Sequence, residues 1–275
     1  MKKILFPTDF SAGSKNAFIY ALKLADSIDA EIITMHVYQL PQANYINVSG
    51  YLHEIYDVTE LSNFENYKDE VPILRTIAKE NNLEHIKISH VLFQGNLIAE
   101  IQKITVKEEI DFVVMGTKGA TGLKETFLGT VATKVMNDVK AIVLAVPEHC
   151  EYQPIKKILF ATQLNPEDLE VLKKVMSFAR VFQAHVDCLR VVAPHQTDKN
   201  DHIENWDEIR NDSIAMHTIV GTDIEGIILN FIDLHQVNVL AMHVHHRNFF
   251  EKLFQISLSK KLAFHVNIPI LAIHQ

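Results

Sequence analysis

The chain has 275 residues, enough for two domains of ordinary size, and its 48% apolar and 22% charged content is that of a folded globular protein, which excludes a disordered or fibrous one. A formal charge of −8 without a basic block excludes a nucleic-acid surface, which needs clustered lysine and arginine to displace counterions from phosphate. No apolar run nears the roughly 20 residues of a spanning helix, so a membrane protein is excluded as well.

The first element is the apolar run at residues 3–7, which does not alternate and so reads as a strand buried on both faces. The Lys2-Lys3 pair ahead of it resembles a leader, but the run is far shorter than a signal-peptide core, and export is not expected. An amphipathic helix follows from about Ser14 to Ile28, with Ala17, Ala21, Leu24, Ala25 and Ile28 on one stripe and Ser11 or Ser14 as its cap. A strand at 31–37 leads into a segment, Tyr38 to Asp69, in which Tyr38, Tyr45, Tyr51, Tyr56, Phe64 and Tyr67 are interleaved with polar residues. Aromatics so placed suit an interface or a lid over a ligand, and equally a segment packed onto its own domain. Strands at 86–92, 111–115 and 141–146, with helices at 97–109 and 130–138, complete the first half.

Pro147 to Pro154 is polar and proline-bounded, the composition of a linker. Beyond it the pattern returns: strands near 157–161, 185–192, 214–220, 238–242 and 269–273, and helices near 166–182, 223–235 and 252–264. The return is a true repeat. Lys2-Lys3-Ile4-Leu5-Phe6-Pro7-Thr8 recurs as Lys156-Lys157-Ile158-Leu159-Phe160-Ala161-Thr162, six identities in seven at an offset of 154. Asp111–Met115 faces Asn238–Met242, and Val143–Val146 faces Ile270–Ile273, at an offset of 127. The difference, 154 − 127 = 27 residues, falls in the 38–69 segment. Alternating strands and helices imply parallel sheets covered on both faces. The fold class expected is therefore α/β, two tandem doubly wound domains, each a five-stranded parallel sheet flanked by helices, spanning 1–148 and 155–275 with a 149–154 linker. The cysteines, Cys150 and Cys188, lack metal-type spacing and read as reduced thiols of a cytoplasmic protein.

In such a sheet a ligand sits beyond the carboxyl ends of the strands, where the strand order reverses. After the fourth strand comes Gly116-Thr117-Lys118-Gly119-Ala120-Thr121-Gly122, then Gly129-Thr130 opening a helix, so four of the nine glycines lie within fourteen residues. Glycines let backbone amides approach an anion, and the first free amides of a helix favour negative charge, with Lys118 as a nearby cation. A phosphate fits there; a glycine-rich surface turn is the other reading. Neither the Walker loop nor G-x-G-x-x-G is present.

Gly116-x2-Gly119-x9-Gly129-Thr130 resembles the G-x2-G-x9-G-[Ser/Thr] ATP-binding motif of the universal stress protein family, and Ile4 to Asp9 resembles that family's first strand and acidic turn. The resemblance extends over essentially the whole chain as a tandem of two such domains, Rossmann-like in type. It implies an adenine-nucleotide ligand, ATP with or without Mg²⁺. It implies that Pro7, Thr8 and Asp9 meet the nucleoside end, that His36 and Val37 line the adenine pocket, and that Met115 and Gly116 close its floor. Gly119, Gly129, Thr130 and Val131 would hold the phosphates, and a role in stress survival follows. Asp9 also reads as a cap of the first helix, and the two roles are compatible. By the repeat alignment Gly116, Gly119, Gly129 and Asp9 become His243, His246, Ile256 and Gln163, with Ser257 for Thr130, so the second half is expected to be degenerate. His243-Val244-His245-His246 offers imidazoles to a metal, yet no cysteine or glutamate stands at a ligand interval, and packing or surface histidines are the preferred reading. Single-domain members resemble homodimers paired through their last strands, so an intrachain pseudo-dimer is expected here, with further homodimerisation open. The alternatives are a slow ATP hydrolase or phosphotransferase using Asp9, and a nucleotide-independent interaction module.

Overall fold

The computed structural model describes residues 1–39, 49–117, 129–194, 213–244 and 267–274, with 49–59 described in backbone only. Its elements are β1 (Lys2–Pro7), α1 (Ala12–Ile28), β2 (Ala30–Tyr38), α2 (Ser49–Glu80), β3 (Ile88–Gln94), α3 (Leu97–Lys107), β4 (Phe112–Gly116), α4 (Thr130–Asp138) and β5 (Ile142–Val146). The second half follows with β6 (Lys157–Ala161), α5 (Pro166–Phe182), β7 (His185–Val192), β8 (Ile214–Val220), α6 (Ile224–His235), β9 (Val239–His243) and β10 (Ile270–Ile273).

The ten strands form one sheet in the order β3-β2-β1-β4-β5-β10-β9-β6-β7-β8. Each half reads outward to inward in the same way, so the fold is α/β with two doubly wound five-stranded parallel sheets. They meet where β5 and β10 pair antiparallel, Leu271 opposite Leu144. Helices α1, α2 and α5 cover one face over a cluster that includes Phe6, Phe18, Phe160 and Phe178, while α3, α4 and α6 cover the other over Leu5, Val113, Leu159 and Leu240. Both faces being covered is why the strands are apolar without alternation.

The repeat extends to the backbone. Phe10 and Leu164, both at φ 59°, Asp29 and Gln183, at 51° and 52°, and Glu109 and Gln236, both at 52°, are left-handed non-glycine residues at matching positions. Lys3 donates its amide to the Asp111 carboxylate at 2.9 Å, as Lys157 donates to the Asn238 side chain at 2.9 Å.

Two features go beyond the sequence reading. The 38–69 segment is largely helix, since α2 runs through it and on to Glu80 with Pro72 inside. Tyr45 lies outside the described residues, as do the side chains of Tyr51 and Tyr56. Residues 147–155, expected as a linker, are packed against α1. Asn16 Nδ2 donates to the Pro147 and Cys150 carbonyls at 3.2 and 2.8 Å, the Tyr20 hydroxyl meets Cys150 Sγ at 3.1 Å, and Cys150 and Ile155 are buried. Both thiols are free and buried, which pushes Cys150 up and Cys188 up to about 12, so neither is poised as a nucleophile.

Candidate functional site

The chain leaves β1 for β2 on one side and later returns to β4 on the other, so the strand order reverses between β1 and β4. In a sheet of this kind a ligand crevice forms at the carboxyl ends of those two strands. The Leu5↔Val113 register sets Pro7 to Asp9 beside Met115 to Thr117.

On the β1 side the turn into α1 is closed by side chains. The Thr8 hydroxyl accepts from the Phe10 amide at 3.0 Å and pairs with Ser14 Oγ at 2.8 Å, both groups buried. Asp9 Oδ1 accepts from the Ser11 amide at 3.1 Å, and Ser11, the N-cap, accepts from the Ser14 amide at 3.2 Å. Asp9 thus braces the turn before the helix, Ser11 caps it, and the Asp9 side chain remains exposed at the crevice mouth.

From β2, His36 donates its Nδ1 proton to the Thr8 carbonyl at 2.8 Å, because a carbonyl can only accept; this fixes the tautomer. Its ring lies 5.3 Å from Phe10 and 6.2 Å, stacked, from Tyr67 of α2. Val37 follows, half-buried. Burial raises the Tyr67 phenol above its ordinary range. Tyr67 therefore packs beside His36 and Phe10, a contribution of the long segment that composition alone did not locate.

On the β4 side Met115 is buried and Gly116 half-buried, and the Thr117 amide donates to the Val146 carbonyl at 2.9 Å. The Thr117 carbonyl in turn accepts from the Gly129 amide at 2.7 Å, which pins the start of α4 to the end of β4. Gly129 is the N-cap of α4 without a side-chain cap, and Thr130 and Val131 are exposed on its first turn. The first-turn amides of α4 and the positive end of its dipole are therefore held beside the carboxyl end of β4. Lys118, Gly119, Gly122 and Glu125 lie outside the described residues. Thr117 is 2% exposed, and its hydroxyl has no hydrogen-bond partner among the described residues. An orphan hydroxyl is costly unless something else satisfies it. Sequence reading passed over it as a variable position between two glycines.

The second half has the same frame with a different filling. Thr162, Leu164 and Asp168 stand where Thr8, Phe10 and Ser14 do, and the Leu164 amide donates to Thr162 Oγ1 at 2.9 Å. Asp168, fully buried, accepts from Thr162 Oγ1 at 2.8 Å, from the Gln163 and Asn165 amides at 3.1 and 3.3 Å, and from His243 Nδ1 at 2.8 Å. His243 replaces Gly116, and its ring is 1% exposed. An imidazole held by a buried carboxylate thus occupies the crevice between β6 and β9, the packing role expected for it. Among the described residues no group of three or more His, Cys, Asp or Glu could hold a metal. His245, His246, Ile256, Ser257 and His265 lie outside them. Val191 and Phe231 are core, with Met216 half-buried.

Among the described residues no helix is long and apolar enough to cross a membrane. A sequence profile of the universal stress protein family matches residues 1–147. Two universal stress proteins of Methanocaldococcus jannaschii are 30% and 28% identical to this chain over 145 and 154 residues, each covering 53% of it and 81% and 94% of their own lengths. The solved structure of a universal stress protein from Archaeoglobus fulgidus superposes with a TM-score of 0.73, covering 99% of this chain and 96% of its own, at 19% identity; that likeness is one of fold.

Proposed function

The chain belongs to the universal stress protein family, and from that premise we propose that its β1–β4 crevice binds one adenine nucleotide, ATP with or without Mg²⁺, while the second half binds none. The two halves are proposed to be domains 1–148 and 155–275 joined by 149–154, paired as an intrachain pseudo-dimer through β5 and β10. The proposed nucleoside wall is Pro7, Thr8, Asp9, His36 and Val37 above Met115. Gly116, Gly129, Thr130 and Val131, with Lys118 and Gly119, are the proposed phosphate side. The proposed role is binding in stress survival; turnover is at most slow.

One observation carries this reading. At equivalent positions Gly116 brings no side chain to the first crevice, beside the amino end of α4 and the buried Thr117 hydroxyl, whereas His243 on Asp168 places a buried imidazole in the second.

Calorimetric titration of ligand-stripped protein with ATP is expected to give one site per chain. Asp9→Ala is expected to weaken it by about 1.5–3 kcal/mol, roughly ten- to a hundred-fold, for a charged hydrogen bond lost to the ligand. Two sites per chain, or none, would overturn the reading.

Thr117→Val makes a separate prediction. Removing the unsatisfied hydroxyl is expected to stabilise the free protein by about 1 kcal/mol in thermal unfolding while weakening nucleotide binding roughly five-fold. Destabilisation of the free protein would mean that the hydroxyl serves the fold.

A further inference from the structure

The pseudo-dyad relating the halves gives the molecule two equivalent grooves, each between the first helix of one half and the amino ends of the other half's central strands. One is filled. Between α1 and the start of β6 lies the linker. Asn16 and Tyr20 bind its Pro147, Cys150 and Glu151 carbonyls, Tyr20 and Tyr152 pack edge to face at 5.1 Å, and Lys23 Nζ stands 5.8 Å from the Tyr152 ring.

The mate of that groove lies between α5 and the starts of β1 and β4. At the 154 offset Glu170, Lys174, Ser177 and Phe178 take the places of Asn16, Tyr20, Lys23 and Leu24. Here there is a cavity of about 380 Å³ with a floor of Phe112, Ile142 and Phe178 and a rim that includes Lys2, Lys173 and Lys174. No described residue fills it. The rim carries Lys2, Lys173 and Lys174 against Asp111 and Glu170, one formal positive charge in excess, with Glu170 paired to Lys173 at 2.6 Å. Lys174 bonds the His274 carbonyl at 2.7 Å, and His274 is the equivalent of Pro147, whose carbonyl Asn16 bonds in the filled groove.

We propose that this open groove between α5 and the amino ends of β1 and β4 docks an acidic, turn-forming peptide segment of a partner protein, seated as residues 147–153 are seated in its mate. The occupied groove supplies the binding mode: a turn at 147–150, closed by the Cys150 amide on the Pro147 carbonyl at 3.1 Å, then irregular backbone held by carbonyl contacts to the helix, with one aromatic side chain against it. The rim supplies the charge preference, and the linker meets it, since residues 147–153 carry Glu148 and Glu151 beside Tyr152. The aromatic floor supplies the apolar contact.

The probe is a fluorescein-labelled peptide of residues 147–153 bearing Cys150→Ala, titrated into the full chain by fluorescence anisotropy. Saturable 1:1 binding with a Kd below about 1 mM is expected. Lys174→Glu should weaken it at least five-fold by reversing a rim charge, and Ser177→Trp should abolish it by filling the groove. Both positions are exposed on α5, so both variants should retain the wild-type unfolding midpoint. No saturation, equal binding of a scrambled peptide, or equal affinity in both variants would overturn the proposal. So would concentration-dependent dimerisation of the chain that Ser177→Trp abolishes, because a second copy would then own the groove.

Discussion

Asp168→Ala is expected to destabilise the chain by about 3–5 kcal/mol in urea unfolding. The side chain is fully buried and accepts from Thr162, from two backbone amides and from His243, so truncation strands an imidazole and a hydroxyl where water does not reach. His243→Gly alone should also be costly, because it removes the imidazole donor from the buried Asp168 Oδ1 while Thr162 and two amides remain on Oδ2. The double variant Asp168→Ser, His243→Gly rebuilds the arrangement of Ser14 and Gly116 in the first half. It is expected to cost clearly less than the two single losses added, since the two groups act on each other. Nucleotide stoichiometry should remain one per chain in the double variant, because His246 and Ile256 still replace Gly119 and Gly129. A cost below about 1 kcal/mol for Asp168→Ala would show that the pair is incidental to the fold.

That pair marks the boundary of what the amino-acid order discloses. The replacement of Gly116 by His243 is visible in the repeat alignment, but the replacement of Ser14 by Asp168 looks like one helix-start residue for another. Only folding brings the two together across 75 positions of chain. Strands were legible because burial on both faces leaves a non-alternating apolar run, and the boundary error at β3, expected at 86–92 and found at Ile88–Gln94, is small. Helix α2 was not legible as a helix of 32 residues. Its apolar positions are sparse, its aromatics are spaced irregularly and Pro72 sits within it, so tertiary packing of residues such as Leu74, Ala78 and Tyr67 decides it. The linker's composition disclosed a connection but not the groove on α1 that buries Cys150, because that groove belongs to the meeting of two halves. Thr117 shows the opposite limit: its residue type is ordinary, and only its burial without a partner among the described residues makes it notable.

Leu271→Ala is expected to cost about 2–5 kcal/mol, the range for truncating a fully buried leucine, and to shift a single unfolding transition of the whole chain. Leu271 lies opposite Leu144 across the only antiparallel pairing in the sheet among the described residues, and both belong to one cluster that contains Phe18 of α1 and Phe178 of α5. Backbone pairing, cross-strand contact and helix packing therefore all cross the seam at this point. Cooperativity should cross it too, so fluorescence and circular dichroism should report the same midpoint. Leu234→Ala, at a leucine 72% exposed on α6, should stay within about 0.5 kcal/mol of the parent and serves as the control. If Leu271→Ala instead splits the transition and leaves one half at its original midpoint, the two sheets unfold separately. The groove between α5 and the first half would then open with the seam, and the docking surface would depend on the pairing of β5 with β10.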